Sequence, residues 1–114
     1  MGLRELRRQF HQERKNALKR FRRQKAANLL AQPGIHQFVV VLDNLKPAFN
    51  IGKIFRSADA FGAQAVHLVG IDFFDPAPAM GSFKWVPARF HDNFAGCFNN
   101  LTKRGFTFFT LVPE

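Results

Sequence analysis

Residues 39–62, VVVLDNLKPAFNIGKIFRSADAFG, read as an apolar strand, a turn and a short helix. The valine run and Leu42 predict a buried strand over 36–42. Pro47 predicts a turn between Leu42 and Asn50, because the residue before a proline is disfavoured in the helical region. At about 100° per residue, Ile51, Ile54, Phe55, Ala58, Phe61 and Gly62 gather on one side of a helix over 51–61, with Lys53, Arg56 and Ala60 on the other. Asn50 is a good N-cap type, and Gly62 suits the left-handed residue that closes a helix. The apolar side must pack on a sheet, which leaves the basic side open to a ligand. A loop feeding a helix N-terminus also attracts anions, through its unpaired amides and the helix dipole.

Working outward, 65–69 reads as a second buried strand, so strand, helix and strand make a right-handed parallel βαβ unit. Pro76, Pro78 and Gly81 mark 72–82 as loop, and 83–87 reads as a short edge strand. Asp92 is the expected cap of a helix whose Phe94, Cys97, Phe98 and Leu101 share a face, with Lys103, Arg104 and Gly105 at its end. Residues 106–112 read as a third buried strand. The predicted class is α/β, an open and mainly parallel sheet of three to four strands with flanking helices. A chain ending just after an interior-type strand predicts an incomplete domain, since open α/β folds cover such strands with a following helix.

Ahead of this domain lies a basic segment rich in helix formers. Residues 1–30 hold ten Lys and Arg against Glu5 and Glu13, and the remainder of the 114-residue chain is nearly neutral. Pro33-Gly34 marks the break, which divides the chain into a helical arm over 1–32 and a domain over 35–114. A basic arm on a neutral domain points to a polyanion, with nucleic acid first and an anionic membrane surface second. Arg7, Arg8, Arg14, Lys15, Lys19, Arg20, Arg22 and Arg23 are the candidate RNA contacts of the arm, joined by Lys53 in the domain. Leu3, Leu6, Phe10, Ala17, Leu18, Phe21, Leu29 and Leu30 form an apolar stripe too thin for a core of its own. It must dock on the domain or a partner, or order only when RNA binds.

With 46% hydrophobic residues and fifteen Phe, the chain has the means for a globular core. The single Cys97 excludes a disulfide framework and any internal cysteine-based metal site. His11, His36, His67 and His91 lack ligand spacing, and Asp72 and Asp75 around a Phe-Phe pair do not make a site, so no metal is expected. No secretory signal or membrane-spanning run is visible, which makes the cytoplasm the expected compartment.

Leu42-Asp43-Asn44, Asn50, Gly52, Arg56, Ser57-Ala58-Asp59 and Phe61-Gly62 together resemble the first signature of the SpoU/TrmH group of SPOUT RNA methyltransferases. The likeness extends through 65–69 and, more loosely, to Gly81-Ser82 and Val86-Pro87-Ala88-Arg89, covering roughly 38–112. It implies methyl transfer from S-adenosylmethionine to a ribose 2′-hydroxyl of tRNA or rRNA, a C-terminal trefoil knot and a homodimer. It also implies that Asn50 and Arg56 belong to the catalytic region. Two later family segments, a Gly-Glu type and a Ser-Leu-Asn type, build most of the methyl-donor site, and neither occurs here. S-adenosylmethionine is therefore expected for a full-length protein, with its binding residues beyond Glu114, and not for residues 1–114 alone.

An arginine stays charged, so a phosphate clamp suits Arg56 better than a base, while Asn50 would fix the loop or touch the ribose. The plainer alternatives are a helix cap at Asn50 and a solvated Arg56 paired with Asp59 or Asp43. Ser82 is either a lining residue or a turn former, and Phe73, Phe74 and Phe83 are either stacking platforms or core. A second functional reading is a non-catalytic RNA-binding or assembly protein on the same scaffold. A nicotinamide enzyme is disfavoured, since no GxGxxG follows the first strand.

Overall fold

Side-chain alternation along three short parallel strands gives this protein one sheet with two unlike faces. A computed structural model describes residues 2–46 and 48–111. Strands β1 (Val39–Asp43), β2 (Ala65–Val69) and β3 (Ala88–His91) lie in the order β1-β2-β3, all parallel. Val39 pairs with Ala65 and Val66 with Ala88. As the middle strand, β2 is buried at every position. Val40, Leu42, Val66, Leu68, Ala88 and Phe90 belong to the main core, and Val39, Val41 and Val69 to a smaller cluster with Cys97 and Leu101.

Helix α1 (Leu3–Asn28) precedes the sheet, α2 (Ala48–Ala60) joins β1 to β2, and α3 (Phe94–Lys103) follows β3. From α2, Ile51, Phe55 and Ala58 are buried, as the helical spacing predicts. Gly52 packs so closely that a Cβ there would stand 2.8 Å from the Ala79 amide nitrogen and 2.9 Å from the Pro78 Cβ. Gly62, at φ +69°, ends α2: its amide bonds the Asp59 carbonyl and that of Ala63 bonds Ala58, a Schellman closure. Gly105 ends α3 in the same way, its amide on Thr102 and that of Phe106 on Leu101.

The apolar stripe of α1 divides in two. Ala17, Phe21 and Asn28 are buried, whereas Leu3, Leu6 and Phe10 stay exposed. Phe21 packs among Phe73, Phe74, Phe83 and Phe90 at ring-centre distances of 5.3 to 6.2 Å. Asn28 donates to the carbonyls of Phe83 (2.5 Å) and Val86 (2.6 Å) and accepts from the Ala88 amide (2.9 Å). The second half of α1 is thus part of the domain core, and the first half projects from it.

Several expected boundaries move. The first strand starts at Val39 because the His36 amide bonds back to Gly62. Helix α2 starts at Ala48, which puts Asn50 inside its first turn rather than at the cap. A proline just ahead of a first turn is compatible with that start, since first-turn amides have no intrahelical acceptor. The turn expected at Pro47 itself lies outside the described residues. Phe61, counted with the apolar stripe, is 71% exposed because the chain has already left the helix. Residues 83–87 form no strand: Ser82–Lys84 is a 3-10 turn, and Asn28 holds the Phe83 and Val86 carbonyls. The third strand is Ala88–His91 instead.

Asn93, not Asp92, caps α3, its side chain accepting from the Gly96 amide. Of the face assigned to that helix, Cys97 and Leu101 are buried while Phe94 and Phe98 remain partly exposed. The strand expected over 106–112 is absent through Leu111, and Val112 lies outside the described residues. Phe106 and Phe108 lie against the smaller cluster, and Phe109 and Leu111 are 89% and 97% exposed. No described strand edge pairs with this segment, and without a ladder partner an extended chain has nothing to make it a strand. No helix is long and apolar enough to cross a membrane among the described residues.

Candidate functional site

Helix α2 is amphipathic in the sense its sequence predicts. Its buried side faces the sheet, and Asn50, Lys53, Arg56 and Ser57 are exposed. Lys53, Arg56, Ser57, Ala60 and Phe61 line an open hollow of about 390 Å3. Lys53 and Arg56 are therefore brought together, while Asn50 is exposed one turn ahead of Lys53 and lies outside that hollow. The Lys53 ammonium lies 4.6 Å from the Phe49 ring centre.

No carboxylate pairs with Arg56 among the described residues, where Arg20–Asp75 is the one ion pair. Asp43, a candidate partner by sequence, instead accepts from the Asn44 amide group at 2.7 Å. Asn44 adopts a left-handed φ of 54° at the end of β1, its own amide bonded to the Val69 carbonyl. An exposed guanidinium with no internal carboxylate keeps its forked donors available for an external oxyanion.

The arm presents a second basic surface. Arg7, Arg8, Arg14, Lys15, Lys19, Arg22 and Arg23 are exposed along α1. Arg14 and Lys15 join His11, Leu18 and the half-exposed Phe73 around a hollow of about 430 Å3. Arg20 differs from the other arm cations. Its guanidinium donates to both Asp75 oxygens, at 3.2 and 3.0 Å. Burial pushes the Asp75 carboxyl up, but Arg20 and the Ala77 amide outweigh it and hold it below the usual range. Phe74 and Phe83 are fully buried, which makes them core residues and leaves Phe73 as the ring within reach of solvent. Ser82 is a turn serine, buried and donating to the Ala79 carbonyl at 2.6 Å.

The hollow at the start of β1 does not fit S-adenosylmethionine. It measures about 500 Å3 and is lined by Val39, Val41, Leu101 and 105–109 with Gln37 and Phe38. Its walls carry no acidic side chain to receive a ribose diol or a cationic sulfonium. It also lies away from the strand C-termini, where open α/β sheets bind ligands.

One grouping escapes linear spacing altogether. His67 on β2, His91 at the end of β3 and Cys97 on α3 converge on the α3 side of the sheet. Burial, with the nearby charges of His91, Arg104 and Arg89, pushes His67 down to about 4. Burial also lowers His91, and burial together with Asp43 raises the Cys97 thiol. The sequence sign available was alternation: 67 and 91 fall on the same face once β2 and β3 pair in parallel.

The model of the SpoU rRNA methylase family matches residues 37–114. The tRNA (guanosine(18)-2′-O)-methyltransferases of two Thermus thermophilus strains are each 34% identical to this chain over 77 residues. That match covers 64% of this chain and 39% of each relative, so the chain spans about two-fifths of the length of the curated relatives it matches. No solved structure matches the chain.

Proposed function

The chain belongs to the SpoU rRNA methylase family, and on that premise we propose that it forms the RNA-facing half of an S-adenosylmethionine-dependent RNA 2′-O-ribose methyltransferase acting on tRNA or rRNA. The observation that supports this reading is Arg56: exposed, without a carboxylate partner among the described residues, beside Lys53 on the solvent face of α2.

In this reading Arg56 grips the phosphate next to the target ribose with two parallel N–H donors and stabilises negative charge growing on the 2′-oxygen. Lys53 adds a second, less directional contact to the backbone. Asn50, one turn ahead of Lys53 on the same helix, orients the ribose through its amide. Holding the hydroxyl in line for attack supplies much of the acceleration in such transfers. When bound, S-adenosylmethionine supplies the electrophilic methyl group. The exposed cations of α1 capture the RNA and raise the encounter rate. A homodimer and a cytoplasmic location accompany the family reading.

The test is Arg56→Ala in an active, donor-binding form of the protein. Methyl transfer should fall about 10²- to 10³-fold, the loss typical of a removed charge-stabilising donor. The unfolding midpoint should stay unchanged, because the side chain is exposed. Turnover near the wild-type value would refute the clamp. Calorimetric titration of residues 1–114 with S-adenosylmethionine should show no binding, and micromolar binding would overturn the view that these residues lack a donor pocket. A donor-binding form that grips RNA and transfers no methyl group would favour the non-catalytic binding protein.

A further inference from the structure

The cluster on the α3 side of the sheet contains none of the residues proposed to contact RNA. His91 pairs in register with Val69, two residues along β2 from His67, so both imidazoles rise from the same face of neighbouring strands. Their rings stack at 5.0 Å with 14° between planes, and His67 Nδ1 stands 2.8 Å from His91 Nε2. Cys97 comes from α3 above them. One ligand atom from each of the three residues lies within 4.8 Å of the others.

We propose that His67, His91 and Cys97 bind one zinc ion that staples α3 to the β2–β3 edge of the sheet. Two imidazoles and a thiolate form a borderline-soft donor set, which suits zinc over calcium or magnesium. A tetrahedral ion with bonds of about 2.0 Å to nitrogen and 2.3 Å to sulfur spaces its ligand atoms by roughly 3.3 to 3.6 Å. The separations here, from 2.8 Å to within 4.8 Å, bracket that spacing, so small side-chain rotations close the site. His67 and Cys97 are 1% and 0% exposed, which means most of their desolvation has already occurred on folding. His91 is partly exposed and gives the ion access, with water completing the shell.

Two further features surround the site. His67 Nε2, the ring nitrogen that does not face His91, is buried and has no hydrogen-bond partner among the described residues. Asp43 lies on the same sheet face as His67 and close enough for its charge to act on the Cys97 sulfur.

Cobalt(II) added to the metal-free 114-residue chain is the direct probe. A 1:1 complex should show tetrahedral ligand-field bands and a thiolate-to-cobalt charge-transfer band, both displaced by zinc. Cys97→Ser should abolish the charge-transfer band. His91→Ala, at a partly exposed position, should weaken zinc binding by more than about tenfold and cancel the rise in melting temperature that zinc gives the wild type. His36→Ala, outside the cluster, should leave the spectrum unchanged. Absence of a charge-transfer band at saturating cobalt would overturn the proposal. So would zinc affinity that His91→Ala leaves intact, which would mean adventitious surface binding. Neither result bears on RNA methylation, so the two readings stand or fall separately.

Discussion

Asn28→Ala tests whether α1 is part of the domain or an appendage. The Asn28 side chain is buried and makes three hydrogen bonds to the backbone of 83–88, a segment it secures at the entrance to β3. A net value of about 1 kcal/mol per bond gives a loss of about 3 kcal/mol. That is a large share of the roughly 5–15 kcal/mol that stabilises a domain. At about 4 °C per kcal/mol for a chain of this size, the melting temperature should drop by about 12 °C. Urea unfolding followed by circular dichroism supplies the measurement, with an unchanged m-value expected. Asn28→Asp sharpens the test. The carboxylate retains the acceptor for the Ala88 amide but loses the donor, and it sets negative charge against the Phe83 and Val86 carbonyls. It should therefore destabilise more than alanine at neutral pH. A loss under about 1 kcal/mol, or an aspartate tolerated as well as alanine, would refute the clamp.

Gly52→Ala should destabilise by about 1–3 kcal/mol although alanine is the better helix former, because the added Cβ meets Pro78 and Ala79; a stabilised variant in urea unfolding would contradict the packing. In RNA binding followed by fluorescence anisotropy across a salt series, Arg7→Ala with Arg8→Ala should reduce the salt slope by about 1.5. Arg20→Ala should lower stability and leave the slope nearly unchanged, since that side chain is committed to Asp75. Protonation of His67 alone should cost the metal-free protein about 3 kcal/mol as pH falls from 6.5 to 4, and the lowered His91 adds to the loss in the same direction. His67 takes a proton near 6.5 when unfolded but near 4 when folded, so the contribution is complete above 6.5 and gone below 4. A flat stability profile over that window would show His67 to be protonated in the folded state.

The periodic and local features were legible in the chain itself. A short run of buried-type residues gave β2 outright, the 3.6-residue spacing of Ile51, Phe55 and Ala58 gave the buried side of α2, and Gly62 and Gly105 gave two helix ends. Lys53 and Arg56 were found as a basic face for the same reason, since residues three apart on a helix are neighbours whatever surrounds them. Errors fell where local preference competed with a distant partner. Residues 83–87 look like a strand, but their carbonyls turn to Asn28, and 106–111 look like another with no described edge to pair with. Asn50 is a good cap type, yet the helix starts two residues before it.

By itself the sequence determined the family stretch at 39–62, the charge imbalance of 1–30 and the order of the main elements, all of which depend on neighbours within a few residues. The tertiary structure decided which cations are available and which side chains meet. Arg20 reaches Asp75 across 55 residues, and Asn28 reaches Ala88 across 60. His67, His91 and Cys97 share one face only because β2 and β3 pair in parallel with Val69 opposite His91. Contacts of that kind depend on strand register and helix docking, which are set by the burial of the whole core and leave no fixed spacing along the chain.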